Sequence, residues 1–356
     1  MKSDILFLAP YPTPENIKDG MVSRVNAIDS FFKDINRIYL RVSLSKNRKK
    51  KFFVDGKASV YELNAFIHIF LILRILFSCK KIYSHSIWGC WGIWPFLLFY
   101  RKAFILDAHG VVPEEIQLYY GKKLLGFVLN IIECVVFKKA KVVICVTENM
   151  RKHFQQKHPH YKGKYLVYCI YPDSIKNIHI DAMREEKNSG TYINVLYSGG
   201  IAPWQNIDLM LDVIKDTLAV NVKYTLLVSD KDYVENLIKL KHIESNNIVV
   251  KSVLPEELYT YYAKADYAFI LRDDNVVNHV ANPTKLVEYM RFGIIPIVLS
   301  ENIGDFSELG YEYVYIDEYK SNLIKPLISQ VNVKLINQIL ARNEEIDIKN
   351  VVLGLS

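Results

Sequence analysis

The feature of this sequence that most constrains its fold is the alternation, from one end to the other, of short apolar runs with helical patterns. Strand, helix and strand repeated this often predict parallel sheets covered by helices on both faces, which places the chain in the α/β class. The predicted strands are Ile5–Ala9, Ile38–Val42, Lys81–His85, Ala103–Asp107, Lys141–Val146, Asn194–Ser198, Lys223–Val228, Ile248–Lys251, Tyr267–Leu271, Ile295–Leu299 and Tyr313–Ile316.

A polar segment without a clear apolar period, Asp173–Tyr192, interrupts the alternation near the middle of the chain. A length of 356 residues suits two domains of ordinary size. We therefore predict a Rossmann-like domain over 1–172, a linker over 173–191 and a second Rossmann-like domain over 192–356, with parallel sheets facing a central cleft. The last helix is a candidate to cross back to the first domain. Ligands of such sheets bind beyond the carboxyl ends of the strands.

The positive charge is concentrated in one segment. The chain has 45 Lys+Arg against 38 Asp+Glu, a net charge of +7. Residues 37–57 contain eight basic side chains and one acid, Asp55, so 8 − 1 = +7 and the whole surplus lies there. This distribution argues against a general nucleic-acid-binding surface and indicates one local anionic partner.

The five cysteines show no CxxC pair and mostly stand among apolar neighbours, which is typical of buried thiols in a reducing compartment. The N-terminal residues lack the apolar core and cleavage site of a signal peptide, so we expect a cytoplasmic protein. An uncharged stretch, Ile82–Tyr100, has the length of a membrane span. Because Ser84–Ser86 and Pro95 interrupt it, we predict a strand followed by a helix instead.

The segment Phe269–Val298 indicates a nucleotide site. A buried strand ends at Leu271 and releases Arg272 into a loop, and the residues Asn282, Pro283, Thr284 and Lys285 then open a helix that ends near Gly293. The N–H groups of such a helix start, its dipole and the charge of Lys285 would form an anion site. Glu288, one turn further, could accept hydrogen bonds from ribose hydroxyls. The alternative is an ordinary capped helix with a Lys285–Glu288 surface pair.

The run PTKLVEYMRFGIIPIV, residues 283–298, resembles the donor-binding helix of bacterial GT-B glycosyltransferases, especially glycosyltransferase family 4 of the surface-polysaccharide type. Three further segments are similar to that family over roughly residues 4–330: APYPTP followed by Gly20-Met21, LDAHGVVPEE at 106–115, and VLYSGGIAPWQNIDLML at 195–211.

The resemblance implies a retaining transfer of a sugar from a nucleotide-diphosphate sugar to a saccharide acceptor, without an essential metal or other cofactor. His109, Arg272 and Lys285 would be the catalytic residues, with His109 facing the sugar and the two cations assisting departure of the diphosphate. The implied substrate-binding residues are Gly20, Met21, Asp107, Gly199, Gly200, Asn282, Pro283, Thr284 and Glu288.

The sequence departs from the family at three positions. Val280 stands where the family often has a first glutamate, and Ile201 and Gln205 stand near an expected arginine and lysine. Positive charge is still needed on the departing diphosphate, and Arg272 and Lys285 are the best substitutes. The alternative for Arg272 is a salt bridge to Asp273 or Asp274.

His109 follows a strand end and precedes Gly110, which allows a ligand to approach the backbone closely. The alternative is a histidine that caps the next helix. Asp107 either orients His109 or simply ends the strand.

Two motifs suggest a metal. Asp230-Lys231-Asp232 has the D-x-D form that holds a divalent ion in other glycosyltransferases, but Asp230 also suits an N-cap, which we favour. His153, His158 and His160 do not share a helix face, so a surface cluster is the better interpretation. Neither glycine segment gives GxGxxG, which leaves a nicotinamide enzyme with little support.

The basic segment and the apolar stretch Ala65–Phe77 together predict a surface facing an anionic membrane, with Trp88, Trp91 and Trp94 in the next helix. The alternative is core helices beside a solvated hairpin. A lipid-linked saccharide acceptor at the cytoplasmic membrane face, in O-antigen, capsule or exopolysaccharide synthesis, follows by analogy. Two other functions stay open: a nucleotide-sugar 2-epimerase of the same fold, and a non-catalytic transferase-like scaffold.

Overall fold

The structure is a computed structural model that describes residues 3–17, 20–171, 192–219, 221–321 and 328–355. The chain divides into two compact units. The N-terminal unit is Met1–Ile170 with Ile346–Ser356, and the C-terminal unit is Tyr171–Glu345. The predicted linker, 173–191, lies outside the described residues. The apolar pattern also predicts a helix over Leu323–Ser329, and most of it lies outside the described residues as well.

The N-terminal unit contains one eight-stranded sheet in the order β3-β4-β2-β1-β5-β6-β7-β8. Its neighbouring strands pair in parallel except β3 with β4, which form an antiparallel hairpin at the edge. The central strands are buried along nearly their whole length, because helices cover a parallel sheet on both faces. The strands are β1 Ile5–Leu8, β2 Arg37–Ser43, β3 Lys51–Asp55, β4 Ala58–Asn64, β5 Lys81–His85, β6 Ala103–Asp107, β7 Val142–Cys145 and β8 Lys164–Val167.

The helices of this unit are α1 Gly20–Ser30, α2 Ile69–Ser78, α3 Trp94–Leu97, α4 Val112–Tyr120, α5 Lys123–Lys139 and α6 Glu148–Lys157. The single helix that we predicted after β5 is wrong: a 3-10 turn, Ile87–Cys90, precedes the short α3. The reason is close packing against the sheet, since a Cβ at Gly89 would collide with Leu8 and one at Gly92 with Val42. Pro95 then starts α3.

The chain end returns to the N-terminal unit, where the last helix, Ile348–Leu353, packs against the sheet. Lys81 Nζ donates to the carbonyl oxygen of Leu353 at 2.5 Å, and Lys349 Nζ contacts the Asp34 carboxylate at 2.8 Å. Val352 is fully buried in the core beneath.

The C-terminal unit contains one parallel six-stranded sheet in the order β11-β10-β9-β12-β13-β14. Its strands are β9 Ile193–Gly199, β10 Val222–Val228, β11 Ile248–Lys251, β12 Tyr267–Ile270, β13 Ile295–Val298 and β14 Val314–Tyr315. Its described helices are α7 Ile207–Asp216, α8 Lys231–Leu240, α9 Leu258–Tyr262, α10 Val276–His279, α11 Thr284–Arg291, α12 Ile316–Ser321 and α13 Gln330–Glu344, and the returning helix Ile348–Leu353 is α14. Short 3-10 turns occupy Pro203–Gln205 and Pro255–Glu257.

All eleven predicted strands are present, with ends that differ by at most one residue, and the α/β class with two parallel-dominated sheets is confirmed. We missed β3, β4 and β8. In β3 all five residues are exposed, so it lacks the buried apolar run from which we predicted strands. Four cysteines are buried as expected, but Cys134 is exposed on α5. Within the described ranges no helix is long and apolar enough to span a membrane.

Candidate functional site

The helix predicted to hold the donor is present as α11. It begins at Thr284 after Pro283, whose φ of −67° suits the helix start, and it ends at Arg291. Gly293 follows with φ +66°, the left-handed conformation that terminates many helices. Thr284 is exposed at the helix start, whereas the N–H groups of Leu286 and Val287 already donate to the Pro283 carbonyl oxygen.

The side chain of Lys285 turns toward the end of β9 rather than along its own helix. Its Nζ donates to Gln205 Oε1 at 2.9 Å and to Tyr197 Oη at 3.3 Å, and it lies 4.4 Å from the Tyr197 ring centroid. The predicted Lys285–Glu288 surface pair is therefore wrong. Gly199, with φ +145°, makes room, because a Cβ there would collide with Lys285 Nζ.

Two effects disfavour the charged form of Lys285. Burial and then the nearby guanidinium of Arg272 hold the pKa of Lys285 well below its usual range, and Glu288 offsets only part of this. Arg272 itself follows β12, and its Nη1 contacts Asn278 Oδ1 at 3.5 Å. Arg272 and Lys285 are thus close enough for their charges to interact unfavourably.

Asp273 and Asp274, the acids we considered for a salt bridge with Arg272, have other partners. Asp273 Oδ1 accepts from Asn206 Nδ2 at 3.0 Å. Asp274 is paired with His279.

Glu288 lies on α11 with a network of hydroxyl groups behind it. Tyr262 Oη donates to Glu288 Oε2 at 2.9 Å, Ser198 Oγ lies 2.8 Å from Tyr262 Oη, and Tyr289 Oη contacts Ser198 Oγ at 3.2 Å. Burial raises the pKa of Glu288 to about 7, although the Tyr262 hydrogen bond and Lys285 oppose the shift. A carboxyl group with this pKa can accept from or donate to a bound hydroxyl near neutral pH.

The other predicted donor-side residues lie around the same strand ends. Asn282 Nδ2 donates to Tyr171 Oη at 3.3 Å. A Cβ at Gly200 would meet nothing within 4 Å, so a side chain would fit there. In the N-terminal unit, Gly20 and Met21 begin α1, and the space at Gly20 is equally open.

His109 lies just after β6, and its Nε2 faces a buried cluster. It is 3.3 Å from Asp107 Oδ2 and 3.3 Å from His85 Nδ1. The helix-capping alternative is wrong, because the N-cap of α4 is Val111, without a side-chain capping bond. His109 keeps 17% of its side chain exposed, whereas Asp107 and His85 are fully buried.

The Asp107 carboxylate receives donors from several elements. Arg24 Nη2 on α1 contacts Oδ1 at 2.6 Å, and Tyr83 Oη and His85 Nδ1 on β5 approach Oδ2 at 3.1 and 3.2 Å. Burial alone would raise the pKa of Asp107, but the Arg24 and His109 side chains hold it well below the usual range. Burial lowers the pKa of His85 to about 4, so this ring is neutral.

The nitrogen and oxygen atoms of His85, Asp107 and His109 lie within 4.8 Å of one another, a spacing that could suit a divalent cation. Arg24 already neutralises the Asp107 carboxylate, which works against a second positive charge there.

The sequence motifs that suggested a metal have ordinary structural partners. Asp230 caps α8, accepting from Tyr233 N at 3.0 Å, as we favoured. His153 and His158 pair with Glu114 and Glu133. His158 also stacks on a core aromatic ring, so the expected surface cluster is not what the structure shows.

Sequence reasoning missed the residues that surround the predicted ones. Gln205, Tyr262 and Arg24 lie far along the chain from the groups they contact, and no spacing pattern reveals them. His85 could have been found, because it ends a buried strand just as Asp107 does and is its register partner.

Comparison with known proteins agrees with this geometry. Residues 179–353 match the family model described as Glycosyl transferases group 1. No curated protein matches the chain significantly.

Solved structures of similar fold cover both units. Sucrose-phosphate synthase from Thermosynechococcus elongatus matches with TM-score 0.63 and 12% identity, covering 99% of this chain and 92% of that one. Anabaena HepE in complex with UDP-glucose matches with TM-score 0.61 and 14% identity over 99% and 92%. A UDP-forming α,α-trehalose-phosphate synthase from Burkholderia vietnamiensis gives 0.58 and 11% over 99% and 97%. Identities this low speak for the fold alone. Together with the family match, they show a glycosyltransferase of the GT-B fold.

Proposed function

We propose that this glycosyltransferase binds the diphosphate of a nucleotide-diphosphate sugar at the start of α11 and transfers the sugar, with retention of configuration, to a saccharide acceptor. The observation that carries the proposal is the side chain of Lys285, which runs from the first turn of α11 to Gln205 and Tyr197 at the end of β9, while Arg272 follows the neighbouring strand β12. A diphosphate at these strand ends would form charge-assisted hydrogen bonds with both basic side chains.

The remaining donor contacts follow from this position. Glu288 accepts hydrogen bonds from the ribose hydroxyls, and Asn282, Gly199 and Gly200 line the approach to the phosphates. As negative charge builds on the leaving diphosphate, Arg272 and Lys285 stabilise it without an essential metal. Gln205, where the family resemblance leads one to expect a cation, holds Lys285 in place.

On the N-terminal unit we assign His109 to the reacting sugar, with Gly20 and Met21 beside the substrate at the start of α1. His109 suits this role because it alone of its buried cluster reaches solvent. UDP is the first nucleotide to test, since the solved structure of HepE contains UDP-glucose.

The donor site is tested by a thermal-shift screen with UDP, GDP, ADP, CMP and TDP, each with and without EDTA. A ligand that binds only the folded state raises its stability by mass action. We expect one nucleotide diphosphate to stabilise the wild type in EDTA and to lose this effect in Lys285→Met. Lys264→Met removes an exposed lysine of the same unit and serves as the matched control. Stabilisation that requires a divalent ion, or silence from all five nucleotides, would overturn the proposed site.

The acceptor is a lipid-linked saccharide in bacterial surface-polysaccharide synthesis, which the protein meets at the cytoplasmic face of the membrane. The support is an apolar layer in the N-terminal unit. Helices α2, α3 and α5 all connect strands in the same direction along the sheet, so right-handed crossovers place them on one face. On this face large apolar side chains are exposed: Phe66 71%, Phe70 85%, Phe99 73%, Leu124 78% and Phe127 61%.

Basic residues accompany this apolar layer. Lys51 begins the exposed strand β3 and Lys50 directly precedes it, and Arg74 lies in the exposed stripe of α2. Each basic residue near an anionic leaflet contributes roughly 1 kcal/mol. The combination suits an anionic bilayer surface better than a solvated hairpin.

Co-sedimentation with vesicles tests the membrane surface. We expect the wild type to bind phosphatidylglycerol vesicles, to bind phosphatidylcholine vesicles weakly, and to lose binding in Phe70→Asp. Leu240→Asp, at a residue of the C-terminal unit that is 73% exposed, is the matched control and should bind normally. Equal loss in both variants, or no binding by the wild type, would contradict a membrane-facing role for α2.

A further inference from the structure

The cluster beneath His109 contains three residues whose role the donor site does not explain. We propose that Arg24, Asp107 and His85 form a positioning network that fixes the tautomer of His109, so that Nε2 donates to Asp107 and Nδ1 faces the substrate as a hydrogen-bond acceptor. The inference rests on the proposed contact between His109 and the sugar. It assigns Asp107 to positioning rather than to the direct substrate contact that we predicted, because Asp107 is fully buried.

The first step is that the Asp107 carboxylate is ionised. Arg24 approaches it with two nitrogens, Nη2 at 2.6 Å from Oδ1 and Nε at 3.1 Å from Oδ2. A bidentate guanidinium stabilises the charged form, and an ionised carboxylate can only accept hydrogen bonds. The side-chain nitrogens that lie within hydrogen-bond distance of Asp107 therefore donate to it, although Arg24 Nη2 also donates to the Tyr168 carbonyl oxygen at 3.2 Å.

The second step follows for the two imidazoles. His85 Nδ1 and His109 Nε2 lie 3.2 and 3.3 Å from the same oxygen, Asp107 Oδ2. A neutral imidazole has one N–H, so both nitrogens that face the carboxylate carry it. The Nε2 of His85 is then a buried acceptor without a partner among the described residues. Proteins rarely keep such an orphan, and here it is the consequence of committing Nδ1–H to Asp107.

The third step concerns the backbone that places His85. Ser86, the next residue, has φ +65° and ψ 164°, a conformation that is almost restricted to glycine. The surroundings hold it there: Ser86 N donates to the Asp107 carbonyl at 2.8 Å, and Ser84 Oγ donates to the Ser86 carbonyl at 3.0 Å. These two hydrogen bonds hold the strained backbone of Ser86 at the end of β5. Because Ser86 follows His85 directly, they also fix the position of the His85 ring against Asp107.

The fourth step is the exposed edge of His109. Both of its recorded contacts use Nε2, which leaves Nδ1 without a partner among the described residues. A sugar hydroxyl is the kind of donor that a bare imidazole nitrogen accepts. The network therefore presents a fixed acceptor, not an exchanging mixture of tautomers, to the substrate.

Nitrogen-15 NMR of the full chain with ring-labelled histidine tests the proposal without any substrate. The His109 signals are assigned by their loss in His109→Gln. We expect a protonated Nε2 and a bare Nδ1 in the wild type at pH 7. A protonated Nδ1 on His109 would overturn the proposal, and this measurement needs no further variant.

Asp107→Asn removes the acceptor charge, and Tyr83→Phe removes a different hydrogen bond to the same oxygen as its matched control. We expect Asp107→Asn to give a tautomer mixture at His109 and to lower kcat roughly 10- to 100-fold with an unchanged donor KM. Tyr83→Phe should keep the tautomer. An unchanged tautomer in a folded Asp107→Asn protein would overturn the proposal.

The same samples distinguish the positioning network from a metal site. They also test the network independently of the proposed function. A stoichiometric zinc content, or His109 signals that move on adding EDTA, would replace the positioning network with a metal site. If no nucleotide binds but the tautomer is as expected, the proposed function fails and the network stands. If nucleotides bind and the tautomer is wrong, only the network fails.

Discussion

Asp107 in the N-terminal unit and Glu288 in the C-terminal unit are both carboxylates withdrawn from solvent near the carboxyl ends of parallel strands. Their pKa values move in opposite directions. Arg24 outweighs the effect of burial and keeps Asp107 ionised, whereas at Glu288 the Tyr262 hydrogen bond and the charge of Lys285 do not offset burial, which raises its pKa to about 7. Asp107 is thus a structural group whose charge is already compensated within the protein. Glu288, in contrast, keeps the capacity to bind a ligand.

The largest effect that we expect is on the free energy of unfolding, and it distinguishes the Asp107 site from the Glu288 site. Arg24→Met leaves the buried Asp107 charge without its counterion, so we expect the free energy of unfolding to fall by about 3–5 kcal/mol in urea at pH 7. Lys80→Met breaks the exposed Lys80–Asp4 pair, 2.7 Å long, and should cost less than about 1 kcal/mol. Equal costs for the two variants would show that Arg24 does not compensate Asp107.

The second prediction concerns pH. Between pH 4.5 and about 7 the folded state keeps a proton on Glu288 that the unfolded state has lost, so this group's contribution to stability falls as pH rises through that window. The difference in unfolding free energy between wild type and Glu288→Gln should fall by at most about 3 kcal/mol. Asp107 behaves oppositely: its contribution is lost only as pH falls below about 3.8. If the difference in unfolding free energy between wild type and Glu288→Gln does not change with pH, Glu288 lies in a solvated environment.

The third prediction concerns affinity. Glu288→Gln weakens hydrogen bonds from ribose to a charged acceptor, so nucleotide affinity measured by calorimetry at pH 8 should fall roughly 10- to 100-fold. The free protein should be equally stable or more stable, because an uncompensated buried carboxylate is gone. Glu256→Gln changes an exposed glutamate of the same unit and should alter neither property. Loss of stability without loss of affinity would make Glu288 structural, like Asp107.

The smallest effect sharpens the description of the Lys285 environment. Gly199→Ala places a methyl group against Lys285 Nζ at a backbone φ of +145°, so we expect a stability loss of about 1 kcal/mol together with weaker nucleotide binding. Gly310→Ala adds the same methyl group in open space at a left-handed φ of +74°, outside the proposed site, and is the control. If both variants bind nucleotide normally, Lys285 does not need the space at Gly199.

The sequence alone determined the alternation of strands and helices, the α/β class and the positions of His109, Arg272 and Lys285 at strand or helix ends. Apolar periodicity and terminal residues are local properties, so a reader of the sequence can recover them. The same reasoning failed for the single helix predicted after β5. This segment is interrupted where Gly89 and Gly92 pack closely against other strands.

Only the tertiary structure decided which charges meet. Gln205 is 80 positions from Lys285, and Arg24 is 83 positions from Asp107, yet each pair is in contact. Sheet pairing and helix packing bring these residues together, and no spacing along the chain encodes the result. The opposite pKa shifts of Asp107 and Glu288 have the same origin, because burial acts on both groups and the folded chain decides whether a nearby cation outweighs it, as Arg24 does at Asp107 and Lys285 does not at Glu288.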